Sequence, residues 1–170
     1  MIKGFLVAAV LLLSYYVFAQ EGNAWLVKKG QVLPTFTVEG KSGNKITSES
    51  LKGKVVLINF FATWCPPCRK ELPLLQSNLW DKYKNREDFE VMVLAREEGW
   101  DKLDPFIEVN KYTFPIYPDL KRSIFSLFAE NTIPRNVLVA KDGRIVHLSI
   151  GFTEKDFASL MRLVEEELAK

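Results

Sequence analysis

The sequence predicts an α/β domain in which a mixed central sheet is flanked by helices. Three observations carry this. Val55 to Phe61 is an apolar run broken only by Asn59, as expected of a strand buried on both faces. Strand-like and helix-like stretches alternate after it. Near the C-terminus, Lys141-Asp142-Gly143 sits between two apolar runs, and Asp-Gly in that setting is a strong hairpin signal, so part of the sheet is antiparallel.

The elements follow in order. Phe36-Thr37-Val38 and Lys45-Ile46-Thr47 flank Gly40-Lys41-Ser42-Gly43-Asn44, a Gly/Asn turn, and predict a short N-terminal hairpin. After the strand at 55–61, residues 66–84 read as a helix, because Leu72, Leu75, Leu79 and Tyr83 recur at three- and four-residue steps. Pro73 lies inside this helix and is expected to kink it. Phe89 to Ala95 is the next strand and Asp101 to Lys111 the next helix. Phe114 to Tyr117 adds a short extended piece, and Ser123 to Ala129 a short helix with Ile124, Leu127 and Phe128 on one face. Asn136 to Ala140 and Arg144 to Ile150 form the late hairpin. The last helix runs from Glu154 to Leu168, with Phe157, Leu160, Met161 and Val164 as its buried stripe.

Composition narrows the function. The chain has 170 residues, enough for one domain with a real core and no need of a disulfide lattice. Two cysteines exclude a disulfide-rich scaffold and a four-thiolate zinc site, and one histidine excludes any site needing two imidazoles. Lys and Arg number 23 against 21 Asp and Glu, for a net charge of +2, so no concentrated basic surface points to nucleic acid. The N-terminus has its own logic. Lys3 precedes an apolar run from Phe5 to Leu13, and Val17-Phe18-Ala19 sets small residues where a signal peptidase reads them. The apolar stretch is shorter than the roughly 20 residues of a membrane-crossing helix. Residues 1–19 are therefore expected to be a cleaved signal peptide, with an uncleaved anchor as the alternative. Residues 20–29 are expected to form a short tail, and 30–170 the domain. Export to an oxidising compartment, the periplasm or the outer face of the membrane, is the expected consequence.

The chemistry lies at Trp64-Cys65-Pro66-Pro67-Cys68, after a buried strand and at the opening of a helix. The segment Phe60 to Pro73 resembles the active-site segment of the thioredoxin-like superfamily, most closely its exported TlpA/ResA-type branch. Gly30 to Phe36 resembles that branch's entry segment, and Leu51 to Phe60 its lead-in to the redox strand. The resemblance implies a thioredoxin-like fold with an αβ insertion, here Asp101 to Asp119. It also implies thiol–disulfide exchange through a Cys65–Cys68 disulfide, with Cys65 as nucleophile and Cys68 as resolving thiol. The physics agrees on direction: a sulfur at a helix N-terminus faces unpaired N–H groups and the positive end of the helix dipole, which favours the thiolate. Pro66 and Pro67 stiffen the turn.

By the same resemblance Pro134 in Ile133-Pro134-Arg135 is expected to be cis and to pack against the cysteines, with the Ile133 backbone offering hydrogen bonds to an extended substrate. Trp64, Pro66, Pro67, Ile133, Pro134 and Arg135 are expected to form the substrate-docking face, Arg135 as a charge beside the groove. Asn59 stands where cytoplasmic thioredoxins carry a buried acid. Glu71, three residues after Cys68 on the same helix face, is the candidate replacement as proton acceptor or pKa modulator; the competing reading is a solvated carboxylate clustered with Arg69 and Lys70. His147 reads as a plain strand residue. The resemblance implies reduction of exported protein disulfides, such as apocytochrome c before haem attachment, with electrons from a membrane-linked or exported donor. The expected protein is a monomer that meets the membrane only through its N-terminal leader and uses no cofactor or metal beyond the redox disulfide. Two alternatives stand beside it. A thiol peroxidase would want Thr at position 62, where this chain has Ala. A copper carrier using Cys65, Cys68 and His147 would usually separate its cysteines by three residues.

Overall fold

The computed structural model describes residues 24–170, so the leader at 1–19 lies outside the described residues. A hairpin of β1 (Thr37–Glu39) and β2 (Lys45–Thr47) pairs antiparallel through Val38 and Ile46. The central sheet then takes β3 (Val55–Phe61), β4 (Phe89–Arg96), β5 (Ile116–Asp119), β6 (Arg135–Val139) and β7 (Ile145–Ile150) in the order β5-β4-β3-β6-β7. β3–β4 and β4–β5 are parallel, whereas β3–β6 and β6–β7 are antiparallel. The sheet is mixed, as the late Asp-Gly signal requires. Gly143 makes that hairpin possible: its φ of +81° lies in the left-handed region, which a Cβ would penalise.

Helices cover both faces. α1 (Pro66–Leu75) follows β3, α2 (Trp100–Asn110) joins β4 to β5, α3 (Phe125–Phe128) precedes β6, and α4 (Glu154–Leu168) closes the chain. The αβ insertion is α2 with β5. Pro73 produces no break: α1 runs through it to Leu75, then loosens into a π-helical turn at Gln76–Trp80 before a last turn at Asp81–Tyr83. The irregularity has partners. Gln76 donates from Nε2 to Thr113 Oγ1 at 2.8 Å and accepts from Thr113 N at 2.9 Å, tying this turn to the insertion. No helix among the described residues is long and apolar enough to cross a membrane.

Strand alternation divides the core. Val55, Leu57 and Phe61 of β3 and Leu138 of β6 face α1, α2 and α4 through Leu72, Leu103 and Leu160. Val56, Ile58 and Phe60, with Val137 and Val139, face α3, β1 and the N-terminal segment through Phe125, Phe128 and Val38. Of the segment expected as a tail, the described residues 24–29 contribute to this second layer. Val27 is buried, Leu26 N donates to Phe128 O at 2.8 Å, and Trp25 bridges to Ala129. Phe60 anchors the layer, packing at 5.3 Å on Phe125 and 5.1 Å on Phe128, centroid to centroid. Phe60→Ala should lower the unfolding free energy by about 3–5 kcal/mol in a denaturant titration of the oxidised protein.

Candidate active site

β3 ends at Phe61, and within four residues the chain turns into α1. Cys65 N donates to Ala62 O at 3.1 Å, closing a turn whose outer corner is Trp64, 64% exposed. Cys65 is the N-cap of α1, with Pro66 and Pro67 in the helix's first turn, where their missing N–H groups cost nothing. Its Sγ accepts from Cys68 N at 3.3 Å. The two sulfurs are joined in a disulfide with Cα atoms 5.3 Å apart, and only Cys65 retains any exposure, at 2% against 0% for Cys68. The cysteine nearer solvent is thus the one that a helix N-terminus activates.

The loop before β6 meets the pair from the other side. The Ile133–Pro134 peptide is cis, and the Ile133 carbonyl oxygen lies 3.9 Å from Cys65 Sγ. Ile133 is half-buried and Pro134 buried; Pro66 is exposed, and Pro67 half-buried. Trp64, Pro66, Pro67 and Ile133 are thus at least partly accessible next to Cys65 in sequence or through the Ile133 contact, whereas Pro134 is buried. Arg135 is not accessible either. As the first residue of β6 it turns inward on the sheet face opposite Asn136, and its side chain is 0% exposed. The expected surface charge is a buried one.

Glu71 is also placed by burial. It shares the buried face of α1 with Cys68, Leu72 and Leu75 and is only 2% exposed, so it is not a solvated partner of Arg69 and Lys70, which are exposed. Two amides hold its carboxyl: Asn136 Nδ2 donates to Oε1 at 2.6 Å and Asn59 Nδ2 to Oε2 at 3.0 Å. Asn59 Nδ2 also donates to Asn136 Oδ1 at 2.8 Å, a contact made possible because these residues are opposite each other in the β3–β6 register. Desolvation outweighs both hydrogen bonds and pushes the Glu71 carboxyl up to about 7. A narrow crevice lined by Glu71, Asn136, Ser149, Gly151 and Asp156 runs beside it.

Two residues of the site escaped sequence reasoning. Asn136 carried one signal, a lone amide at the head of an apolar strand. Glu98 carried none. It is buried at the end of β4 and accepts from both Thr63 N at 2.7 Å and Thr63 Oγ1 at 2.6 Å, clamping the turn that presents Trp64. His147 lies half-buried on β7, and burial lowers its pKa. Among the described residues no three His, Cys, Asp or Glu side chains gather as metal ligands would. A surface cleft of about 490 Å³ is lined by Lys29, Lys141, Arg144 and Lys170 where β6 ends and β7 begins, the pole of the sheet opposite the cysteines.

A carboxyl that keeps its proton to about pH 7 when folded and loses it near the ordinary 4.5 when unfolded makes unfolding release a proton between those values. Stability therefore falls as pH rises through that window, by about 3 kcal/mol at most. Denaturant titrations of the oxidised protein at pH 5 and pH 7.5 should show this loss, and Glu71→Gln should flatten it.

Comparison with known proteins agrees with the geometry. The redoxin family profile matches residues 28–163. The thiol-disulfide oxidoreductase ResA of Bacillus cereus (strain ZK / E33L) is 34% identical over 127 residues, 75% of this chain and 72% of the relative. ResA of Bacillus subtilis (strain 168) is 28% identical over 166 residues, covering 95% and 90%. A solution structure from Bacteroides thetaiotaomicron, provisionally assigned as a protein disulfide isomerase, superposes with a TM-score of 0.83 at 35% identity, covering 88% of this chain and 95% of its own. With a redox disulfide capping α1, a cis-proline loop against it and this family match, the chain belongs to the redoxin family, as a thioredoxin-like thiol-disulfide oxidoreductase of the TlpA/ResA type.

Proposed function

We propose that the protein is an exported reductase of protein disulfides, with the disulfide of apocytochrome c, reduced to thiols before haem attachment, as one substrate class. The single observation that carries the exchange mechanism is the buried carboxyl of Glu71 on the same face of α1 as Cys68. In the reduced enzyme the Cys65 thiolate attacks one sulfur of a target disulfide, forming a mixed disulfide and releasing the target's other sulfur as a thiolate that takes up a proton. Cys68 then gives its proton to Glu71 and attacks Cys65 Sγ. The target's second sulfur leaves as a thiolate, and the enzyme ends as the Cys65–Cys68 disulfide seen here. Two electrons have passed from enzyme to target. A second dithiol protein, membrane-linked or exported, must return them. A carboxyl that titrates near 7 is ionised often enough to accept a proton at neutral pH and basic enough to hold it.

The substrate lies along Trp64, Pro66, Pro67 and Ile133, where its backbone hydrogen-bonds that of Ile133. Residues 1–19 direct export and are removed, and the mature protein acts as a monomer. Relatives named thiol-disulfide oxidoreductase ResA support the exchange chemistry.

Two measurements test the proposal. Cys68→Ser should accumulate mixed disulfides with its targets on non-reducing gels, and Cys65→Ser should accumulate none. Equilibration with glutathione buffers should place the reduction potential toward the thioredoxin end, near about −270 mV; a value near the oxidising end, about −120 mV, would reverse the direction proposed.

A further inference from the structure

Arg135 is among the largest fully buried side chains of the protein, yet it carries a charge. A guanidinium taken out of water is costly, and an apolar side chain of similar volume commonly fills such a place at lower cost. Its surroundings are specific. Nε donates to the carbonyl of Asn131 at 3.0 Å and to that of Thr132 at 2.9 Å. The guanidinium lies 4.4 Å from the ring centroid of Trp25, a cation–π contact with the N-terminal segment. Trp25 is itself held, through its bridge to Ala129 and the neighbouring Leu26 N to Phe128 O hydrogen bond.

Those two carbonyls belong to the residues immediately before Ile133, whose own carbonyl lies beside Cys65 Sγ. Thr132 has a φ of +61°, a left-handed conformation that a β-branched residue adopts only when its surroundings hold it there. A guanidinium that shares its Nε–H between successive carbonyls while its plane meets the Trp25 ring can hold such a loop; an ammonium or an aliphatic side chain offers no such fixed geometry.

We propose that Arg135 and Trp25 act together as a positioning device for the Asn131–Pro134 loop, and so set how well the Ile133 backbone engages an extended disulfide substrate. The inference rests on the docking of substrate along Ile133 proposed above. Neither side chain touches the reacting sulfurs, so the effect falls on substrate recognition.

The test is steady-state reduction of a disulfide-bonded Cys-x-x-Cys peptide by the full domain, comparing wild type with Arg135→Met, Trp25→Ala and Trp25→Phe. Losing one or two charge-assisted hydrogen bonds of the loop should raise KM about tenfold with kcat unchanged. Trp25→Ala should raise KM in the same direction, and Trp25→Phe, which keeps an aromatic face over the guanidinium, should restore it. Wild-type KM in a folded Arg135→Met protein overturns the proposal. If that variant does not fold, Trp25→Ala decides, since it leaves the carbonyl bonds of Arg135 intact; an unchanged KM there overturns it too. Failure of the wild-type protein to reduce the peptide at all would refute the exchange reading itself, and this proposal with it.

Discussion

The redox site depends on the abrupt conversion of a fully buried strand into a helix at Phe61–Pro66. Because β3 lies between β4 and β6, its end is fixed by pairing on both sides, and the turn into α1 inherits that rigidity. The helix then begins with the Cys68 amide donating to Cys65 Sγ at its positive end. A thiolate formed there meets a donor that is already in place, which is the condition for stabilising charge without reorganisation. Glu98 holds the turn from α2's side and the Ile133 loop approaches from the other, so neither cysteine depends on a flexible segment for its position.

The sheet does a second job on the same residues. One face of the β3–β6 pair holds an apolar core interrupted at one level by Asn59 and Asn136, and these two amides meet Glu71 there. Replacing a buried acid on the strand by an amide moves the titrating group onto the helix, one turn past Cys68. The amides orient the carboxyl without supplying a charge to hold it ionised. Burial therefore dominates, and the group is poised near neutrality. On the opposite face Arg135 is the polar interruption. Two adjacent β6 residues thus carry the polar groups of both layers, and both lie next to the cis-proline loop.

Much of this was legible in the sequence, for identifiable reasons. β3 and α4 were read with the bounds they have, because an apolar run broken only by Asn59 and a clean helical stripe each admit one reading. β5 was read two residues early, since Pro115 and the pairing of Val93 with Ile116 start the strand later. Pro73 was read as lying inside a helix that continues past it, and α1 does run through it, loosening where Gln76 finds Thr113. Arg135 was misread because charge predicts a surface position, whereas strand alternation sends that side chain inward and Trp25, distant in sequence, receives it. The same distant contact explains why residues 24–29 resembled a tail. Glu98 was invisible: a glutamate in a charged loop gives no hint that Thr63 lies across from it.

The central claim is that Glu71 takes the proton of Cys68 when the mixed disulfide resolves. It is tested most directly by following resolution of a preformed Cys65 mixed disulfide in rapid mixing from pH 5 to 9, in wild type and Glu71→Gln. The account predicts a wild-type rate that rises through an inflection near pH 7, and a variant slower by about a hundredfold that lacks this inflection. Superimposable rate–pH profiles for the two proteins would contradict it.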